Sequence, residues 1–356
     1  MAFHPGYYIT EIIEDMGITQ AEFAMRMGTT PKTLSLLVNG QINLSNDLIK
    51  KISSMLGNSV EFWLNLQKSY DEKVIEIQRA QEIDKQIPIM QMIDYAYFVQ
   101  VAHLPAVHKV TEKIIALCSY LKVANLNTFT NPDFLVNFRT GVPNITEKNT
   151  LNARIWLQTA MNSAQNIKTQ PFNAAKLNEC LPEIRNMTRQ DPNEFIPRLR
   201  TIFSDCGVAF VLLPYLKNSG INGAVKWINS NCVILAMNDR MLNADTFWFS
   251  LFHEIKHVLQ QKVKTVFISS DMEKMKEIDN CLEIEADAFA QNYLIPAKDY
   301  HQFAPTKYTS DAEIIAFADR IGIHPGVVAG RLQHDHIILP NRCSKLKEKY
   351  KIVSSD

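Results

Sequence analysis

No excess of either charge marks this chain of 356 residues: Lys plus Arg and Asp plus Glu both total 37. That balance excludes a general polyanion binder and leaves room only for a local nucleic-acid-binding module. Cysteine is sparse and scattered. Cys118, Cys180, Cys206, Cys232, Cys281 and Cys343 include no C-x-x-C, so they read as reduced thiols of a cytoplasmic protein and offer no cysteine zinc site. No apolar run approaches the roughly 18 residues of a membrane-spanning helix. The opening "MAFHPGYYITEII" lacks the basic start and apolar core of a secretory signal. Low-complexity tracts are missing too. Apolar residues, by contrast, make up 46% of the chain, enough for cores in two or three domains.

Residues 1–68 read as short helices with turns at Gly17, Gly28, Gly40 and Gly57. A connecting helix is expected over 69–95, where "QKSYDEKVIEIQRAQEIDKQIP" has mixed charge and ends at Pro88. Residues 96–200 are patterned as helices, with breaks at "NPDF" and "GVPNIT". The texture then changes. "GVAFVLLPYL", "GAVKWIN" and "CVILAMN" are short apolar or alternating runs that read as strands, opening a region expected over 201–300. Two helices follow, "FWFSLFHEIKHVLQQ" and "CLEIEADAFAQNYLIP", and residues 301–356 read as a helical extension. The fold class is therefore α+β, mostly α: an N-terminal helix-turn-helix bundle, then a larger domain with a small sheet.

The chemistry concentrates in "FHEIKH". Each helical residue advances about 100°, so His253 and His257 lie one turn apart on one face. Trp248, Leu251, Phe252, Ile255, Val258 and Leu259 gather on roughly the opposite side. A helix with an apolar back and a separate face carrying two imidazoles suits metal binding better than a buried core histidine pair. H-E-x-x-H alone is only suggestive, because a catalytic zinc wants three protein ligands and an open position for water. The third candidate is Glu283, 26 residues past His257, with Glu285 competing for the role. Asp287, one turn beyond Glu283, is placed to accept the other N–H of a ligand histidine. Glu254 is the candidate general base, taking a proton from water whose pKa the metal has lowered to near 7. Tyr293, His301, Tyr308 and His324 are available to stabilise an oxyanion, and none stands out. The "HDH" at 334–336 reads as surface polarity.

On these residues the chain resembles the ImmA/IrrE family of metallopeptidases. "GAVKWINSNCVILAMNDRMLNADTFWFSLFHEIKH" looks like the family's strand–strand–helix approach to its site. "EIEADAFAQNYLIP" is similar to its E-x-x-A-(N/D)-x-F-A…L-x-P block, and "IGIHPGVVAGRLQHD" to a tail of members fused to a DNA-binding domain. The resemblance spans about residues 95–345. It implies a zincin-like fold, one Zn2+ per chain on His253, His257 and Glu283, and Glu254 as catalytic base. Lys256 departs from the pattern, standing where the family more often has a small residue.

At the other end, "TQAEFAMRMGTTPKTLSLLVNG" has helix-turn-helix spacing. Thr19 can cap a first helix, Gly28 makes the turn, and a second helix runs from about Thr30 to Val38. Thr30, Pro31, Lys32, Thr33 and Ser35 then face a DNA major groove, with Gln20 and Asn39 set to meet phosphates. The segment resembles a Cro/CI-type repressor domain, and with its flanks a HigA-type antitoxin. Residues 1–68 hold five basic side chains (Arg26, Lys32, Lys50, Lys51, Lys68) and six acidic ones (Glu11, Glu14, Asp15, Glu22, Asp47, Glu61), a net −1. Operator affinity is therefore expected to be modest and to depend on homodimerisation and salt. "EFAMRMGTTP" is echoed by "AFADRIGIHP" near the C-terminus, a second helix-turn-helix-like unit expected to serve packing.

These features set out a cytoplasmic regulator without membrane contact. Its N-terminal module is expected to bind an operator, and the family resemblance implies that its C-terminal zinc endopeptidase cuts a regulatory protein, a repressor or antitoxin. The competing reading is an antitoxin-like autorepressor that uses the peptidase fold only to bind protein.

Overall fold

The computed structural model describes residues 2–131, 146–239, 243–260, 272–303 and 309–350, with only the backbone described for 272–280. The expected breaks at "NPDF" and "GVPNIT" fall largely outside those residues, as does Tyr308. The chain divides into two compact units, Met1–Pro88 and Ile89–Asp356.

The first unit holds α1 (Pro5–Asp15), α2 (Gln20–Met27), α3 (Pro31–Val38), α4 (Asn46–Leu56) and α5 (Val60–Asp84). Each of the last four begins at a Ser or Thr that accepts a hydrogen bond from a first-turn N–H: Thr19, Thr30, Ser45 and Ser59. Phe23, Leu34, Leu37, Ile52 and Trp63 are fully buried in the unit's core. Burying such side chains stabilises the bundle by about 1.5–3 kcal/mol each. The border expected at residue 68 lies inside α5, because neither Gly nor Pro interrupts the chain between Ser59 and Pro88.

The short α6 (Ile87–Met90) leads to α7 (Tyr95–Val101), α8 (Val110–Leu121), α9 (Glu147–Ala164), α10 (Ala174–Asn186) and α11 (Pro192–Asp205). Next come β1 (Val208–Leu213), β2 (Gly223–Asn229) and β3 (Cys232–Asn238), and after them α12 (Ala244–Leu259), α13 (Met272–Leu294), α14 (Ala297–Phe303), α15 (Asp311–Ile321) and α16 (Pro325–His334). The architecture is α+β and mostly α. The sheet order is β1-β3-β2, with β1 parallel and β2 antiparallel to β3. "CVILAMN" is thus the central strand, buried from Val233 to Asn238, and "GAVKWIN" is an edge.

The region expected as a C-terminal extension is part of the core. Ile314, Phe317, Val328, Ala329, Leu332 and Tyr350 share one apolar cluster with Phe195, Trp248 and Phe252. The tail straps the start of α12: the Ala244 N–H donates to Glu348 O at 2.9 Å, and Trp248 Nε1 donates to the Tyr350 hydroxyl at 2.8 Å. Lys347 Nζ lies 2.7 Å from Asp245 in the first turn of that helix, where a carboxylate suits the helix dipole.

Candidate metal centre

The back of α12 is built as its periodicity demands. Phe247, Trp248, Leu251, Phe252, Ile255 and Val258 are all buried, while Leu259 is half-buried. The opposite face turns His253 and Glu254 into a cavity of about 610 Å³, whose wall also includes Asp287. Both residues are nearly shut off from solvent, at 8% and 9% exposure. Gly223, the first residue of β2, makes room for Glu254. A Cβ there would meet Glu254 Cγ at 2.8 Å and Oε1 at 3.0 Å, so the strand can approach only without a side chain.

Helix α13 supplies the acids. Glu283 reaches both rings, with Oε2 3.3 Å from His253 Nε2 and Oε1 3.5 Å from His257 Nε2. The two Nε2 atoms are 2.9 Å apart. Asp287, one turn on, takes the other side of the first ring, its Oδ1 2.9 Å from His253 Nδ1. Glu285 faces elsewhere, 2.8 Å from Lys256 Nζ. Successive helical residues point about 100° apart, so Glu283 and Glu285 cannot share one face, and it is Glu283 that meets the imidazoles. Helix α13 is anchored from a distance. Arg185, on α10, donates from Nε to Tyr293 O at 3.0 Å and from Nη2 to Leu294 O and Ile321 O, both at 2.9 Å, satisfying carbonyls at two helix ends.

The electrostatics ask for a cation. A carboxylate can only accept, so Asp287 makes His253 Nδ1 the donor and leaves its Nε2 lone pair directed at His257 and Glu283. Burial alone would lower the His253 pKa, but Asp287 and Glu283 outweigh it and raise it to about 9. Burial likewise opposes charge on His257, whereas Glu283 and Glu254 raise its pKa. Burial also disfavours the Glu283 carboxylate, yet the two imidazoles hold its pKa well below the usual range. Glu254 differs: burial dominates and pushes its carboxyl pKa up. Among the described residues, His253, His257 and Glu283 form the one group of three whose candidate ligand atoms lie within 4.8 Å of one another. Two nitrogens and one carboxylate beside a cavity with ample room for water fit a zinc-type ion with an open position.

Other candidates separate from the site. Among the residues described, Tyr293, His301 and His324 do not line the cavity. Tyr293 stacks on Phe252 with ring centroids 5.2 Å apart, and His324 caps α16. Within "HDH", His334 reaches the cavity rim, and Asp335 accepts from the Tyr300 hydroxyl at 2.9 Å and Arg331 Nε at 2.6 Å.

In the first unit, Gln20, Thr30, Pro31, Lys32 and Asn39 are exposed, with Thr33 and Ser35 half-buried. Several have structural duties as well. Thr30 Oγ1 accepts from the Thr33 N–H at 3.1 Å, and Asn39 Nδ2 donates to Ser35 O at 2.8 Å. Lys32 and Gln20 carry no such bond in the structure's described hydrogen bonds and ion pairs.

Comparison with known proteins places both halves. Residues 9–63 match the helix-turn-helix family, and residues 222–333 match the IrrE N-terminal-like domain of the M78 peptidases. The chain is a helix-turn-helix protein joined to an IrrE-like domain. This helix-turn-helix, IrrE-like chain is 33% identical over 89 residues to the uncharacterized HTH-type transcriptional regulator YddM of Escherichia coli, covering 23% of this chain and 95% of that one. It is 43% identical over 61 residues to antitoxin HigA-1 of Vibrio cholerae, covering 17% of this chain and 57% of HigA-1. A solved structure, a putative antidote protein of a plasmid maintenance system from Nostoc punctiforme, is 31% identical, with a TM-score of 0.23, covering 24% of this chain and 92% of that one. No helix among the described residues of the IrrE-like chain is long and apolar enough to cross a membrane.

Proposed function

We propose that this protein is a cytoplasmic transcription regulator whose α2–α3 unit binds operator DNA and whose IrrE-like unit is a zinc endopeptidase acting on a repressor- or antitoxin-like protein. The observation that carries the enzymatic half is the convergence of His253, His257 and Glu283 in one cluster, with His253 and the buried Glu254 lining a cavity beside it. In this reading His253, His257 and Glu283 hold one Zn2+. When bound, such an ion acidifies a water and polarises a peptide carbonyl. Glu254, its pKa raised by burial, takes the proton of the attacking water and returns it to the leaving amine. Asp287 fixes the ring of His253. The edge strand β2 starts at Gly223, against Glu254, so a substrate segment added along β2 would run past the site.

The DNA-binding half is supported by the helix-turn-helix match and by the exposure of Gln20, Pro31 and Lys32. The modest charge of this unit makes dimerisation part of the proposal. The likeness to HigA-1 favours a second reading, an antitoxin-like autorepressor that cuts nothing. Elemental analysis of the purified full chain separates the two. Near-stoichiometric zinc, lost in His257→Ala and kept in Glu254→Gln, is the enzyme's signature; a metal-free wild type favours the autorepressor. Proteins captured by Glu254→Gln then serve as candidate substrates. Wild type should cut its substrate about 10²–10⁴ times faster than Glu254→Gln. Equal cleavage by the two would remove Glu254 from the role of base.

A further inference from the structure

The two imidazoles are braced differently. Behind His253 stands a carboxylate, which leaves no choice of proton position. Behind His257 stands a carboxamide: Gln260 Oε1 is 2.9 Å from His257 Nδ1. A carboxamide can present either its oxygen or its NH2 group, and the choice matters. An NH2 facing Nδ1 would make that nitrogen an acceptor, move the ring proton to Nε2 and block the nitrogen aimed at Glu283. An oxygen facing Nδ1 keeps the proton there and leaves Nε2 bare.

The other end of Gln260 decides between them. Its Nε2 lies 3.0 Å from Leu282 O and 2.9 Å from Glu285 Oε2. Both partners only accept, so both require the NH2 group, and the oxygen must face the imidazole. Glu285 is itself held, its Oε1 2.8 Å from Lys256 Nζ. Lys256 in turn lies over the Phe289 ring, 5.6 Å from its centroid. A continuous chain, Lys256–Glu285–Gln260–His257, thus crosses from α12 to α13 and back. We propose that Gln260 is the positioning residue that sets the tautomer and ring angle of His257, and that Lys256 and Glu285 hold Gln260 in the required orientation. The inference rests on the reading of His257 as a metal ligand. It also gives a physical use to a lysine inside H-E-x-x-H: the side chain pairs with Glu285 and, through it, braces the amide behind the second imidazole.

The test is metal affinity of the full-length protein, prepared metal-free and titrated with Zn2+ against a chromophoric chelator, with Co2+ absorption as a spectroscopic readout. Gln260→Met keeps length and helix propensity but removes the amide, and should weaken zinc binding about 10–100-fold and shift the Co2+ bands. Gln260→Glu paired with Glu285→Gln keeps an oxygen for the Nδ1 proton and returns an NH2 group to face the new carboxylate, and should recover affinity to within about tenfold of wild type. Lys256→Met, at the far end of the chain and two steps removed from His257, should cost about threefold or less. Metal-free melting temperatures should stay at the wild-type value throughout. Wild-type affinity in Gln260→Met would overturn the inference. So would equal losses in Gln260→Met and in the Gln260→Glu, Glu285→Gln pair accompanied by a fall in metal-free melting temperature, since those mark a packing role. A wild-type chain that takes up no zinc would instead overturn the metal reading beneath it.

Discussion

Two stretches of this protein are nearly the same motif put to opposite uses. "EFAMRMGTTP" joins α2 to α3, and "AFADRIGIHP" joins α15 to α16. In both, Phe and Ala on the first helix are buried, a glycine ends that helix in the left-handed region, and a proline opens the second. Past the proline the sequences part. Lys32, Thr33 and Ser35 of α3 correspond to Gly326, Val327 and Ala329 of α16. The first three are exposed or half-buried; the second three are buried in the core that backs α12. Local spacing therefore fixes the turn, and the chemistry of three side chains decides whether the second helix meets solvent or protein. The expectation that the second unit serves packing agrees with the burial of α16.

The widest divergence should come from placing the same residue at one matched position. Ala329→Lys puts an unpaired ammonium at a site with no solvent exposure and should destabilise the IrrE-like unit by about 4 kcal/mol or more. Ser35→Lys, its counterpart on α3, should stay within about 1 kcal/mol of wild type. Denaturant unfolding of the full chain reads both, and similar losses would mean that α3 is covered by something not yet identified. A smaller effect should come from Lys32→Glu, which tests whether the open helix is open for DNA. Affinity for a short duplex should fall about tenfold at low salt, and the slope of log affinity against log salt should shrink by at least about 1. An unchanged slope would point to protein contact in place of DNA.

What was legible in the sequence follows the range of the interactions. The pair His253 and His257 is an i, i+4 relation inside one helix, so the periodicity delivers it whatever the tertiary fold. Glu283 and Glu285 lie on a second helix, and spacing shows only that one of them can face the pair. The rotation of α13 about its axis decides which, and that is set by long-range bonds such as those of Arg185, 108 and 109 residues away in sequence. Gln260 was hidden for a related reason: a glutamine at a helix end carries no pattern until its partners Leu282 and Glu285 arrive from the neighbouring helix. The three strands could be read from composition, but their order could not. The short Ser230–Asn231 link suggests that β2 and β3 pair, and nothing local says that β1 joins β3 in parallel and leaves β2 at the edge.

The smallest expected effect is the most exacting, because it tests the likeness of the two motifs. Gly28 and Gly322 sit at φ +67° and +70°, and a Cβ at either would have no neighbour within 4 Å. Alanine at these positions would therefore meet no steric obstacle, only the cost of holding a side-chain-bearing residue in the left-handed region, about 1 kcal/mol. Gly28→Ala and Gly322→Ala should each shift the unfolding transition of their own unit by that amount, and asparagine, which tolerates the conformation better, should cost less at both. The matched pair separates backbone from environment. If Gly322→Ala costs several times more than Gly28→Ala, the turn before α16 is being strained by the packing that follows it. If the two agree, the motif behaves as an autonomous local unit in both places, and all the difference in use lies in the side chains beyond the proline.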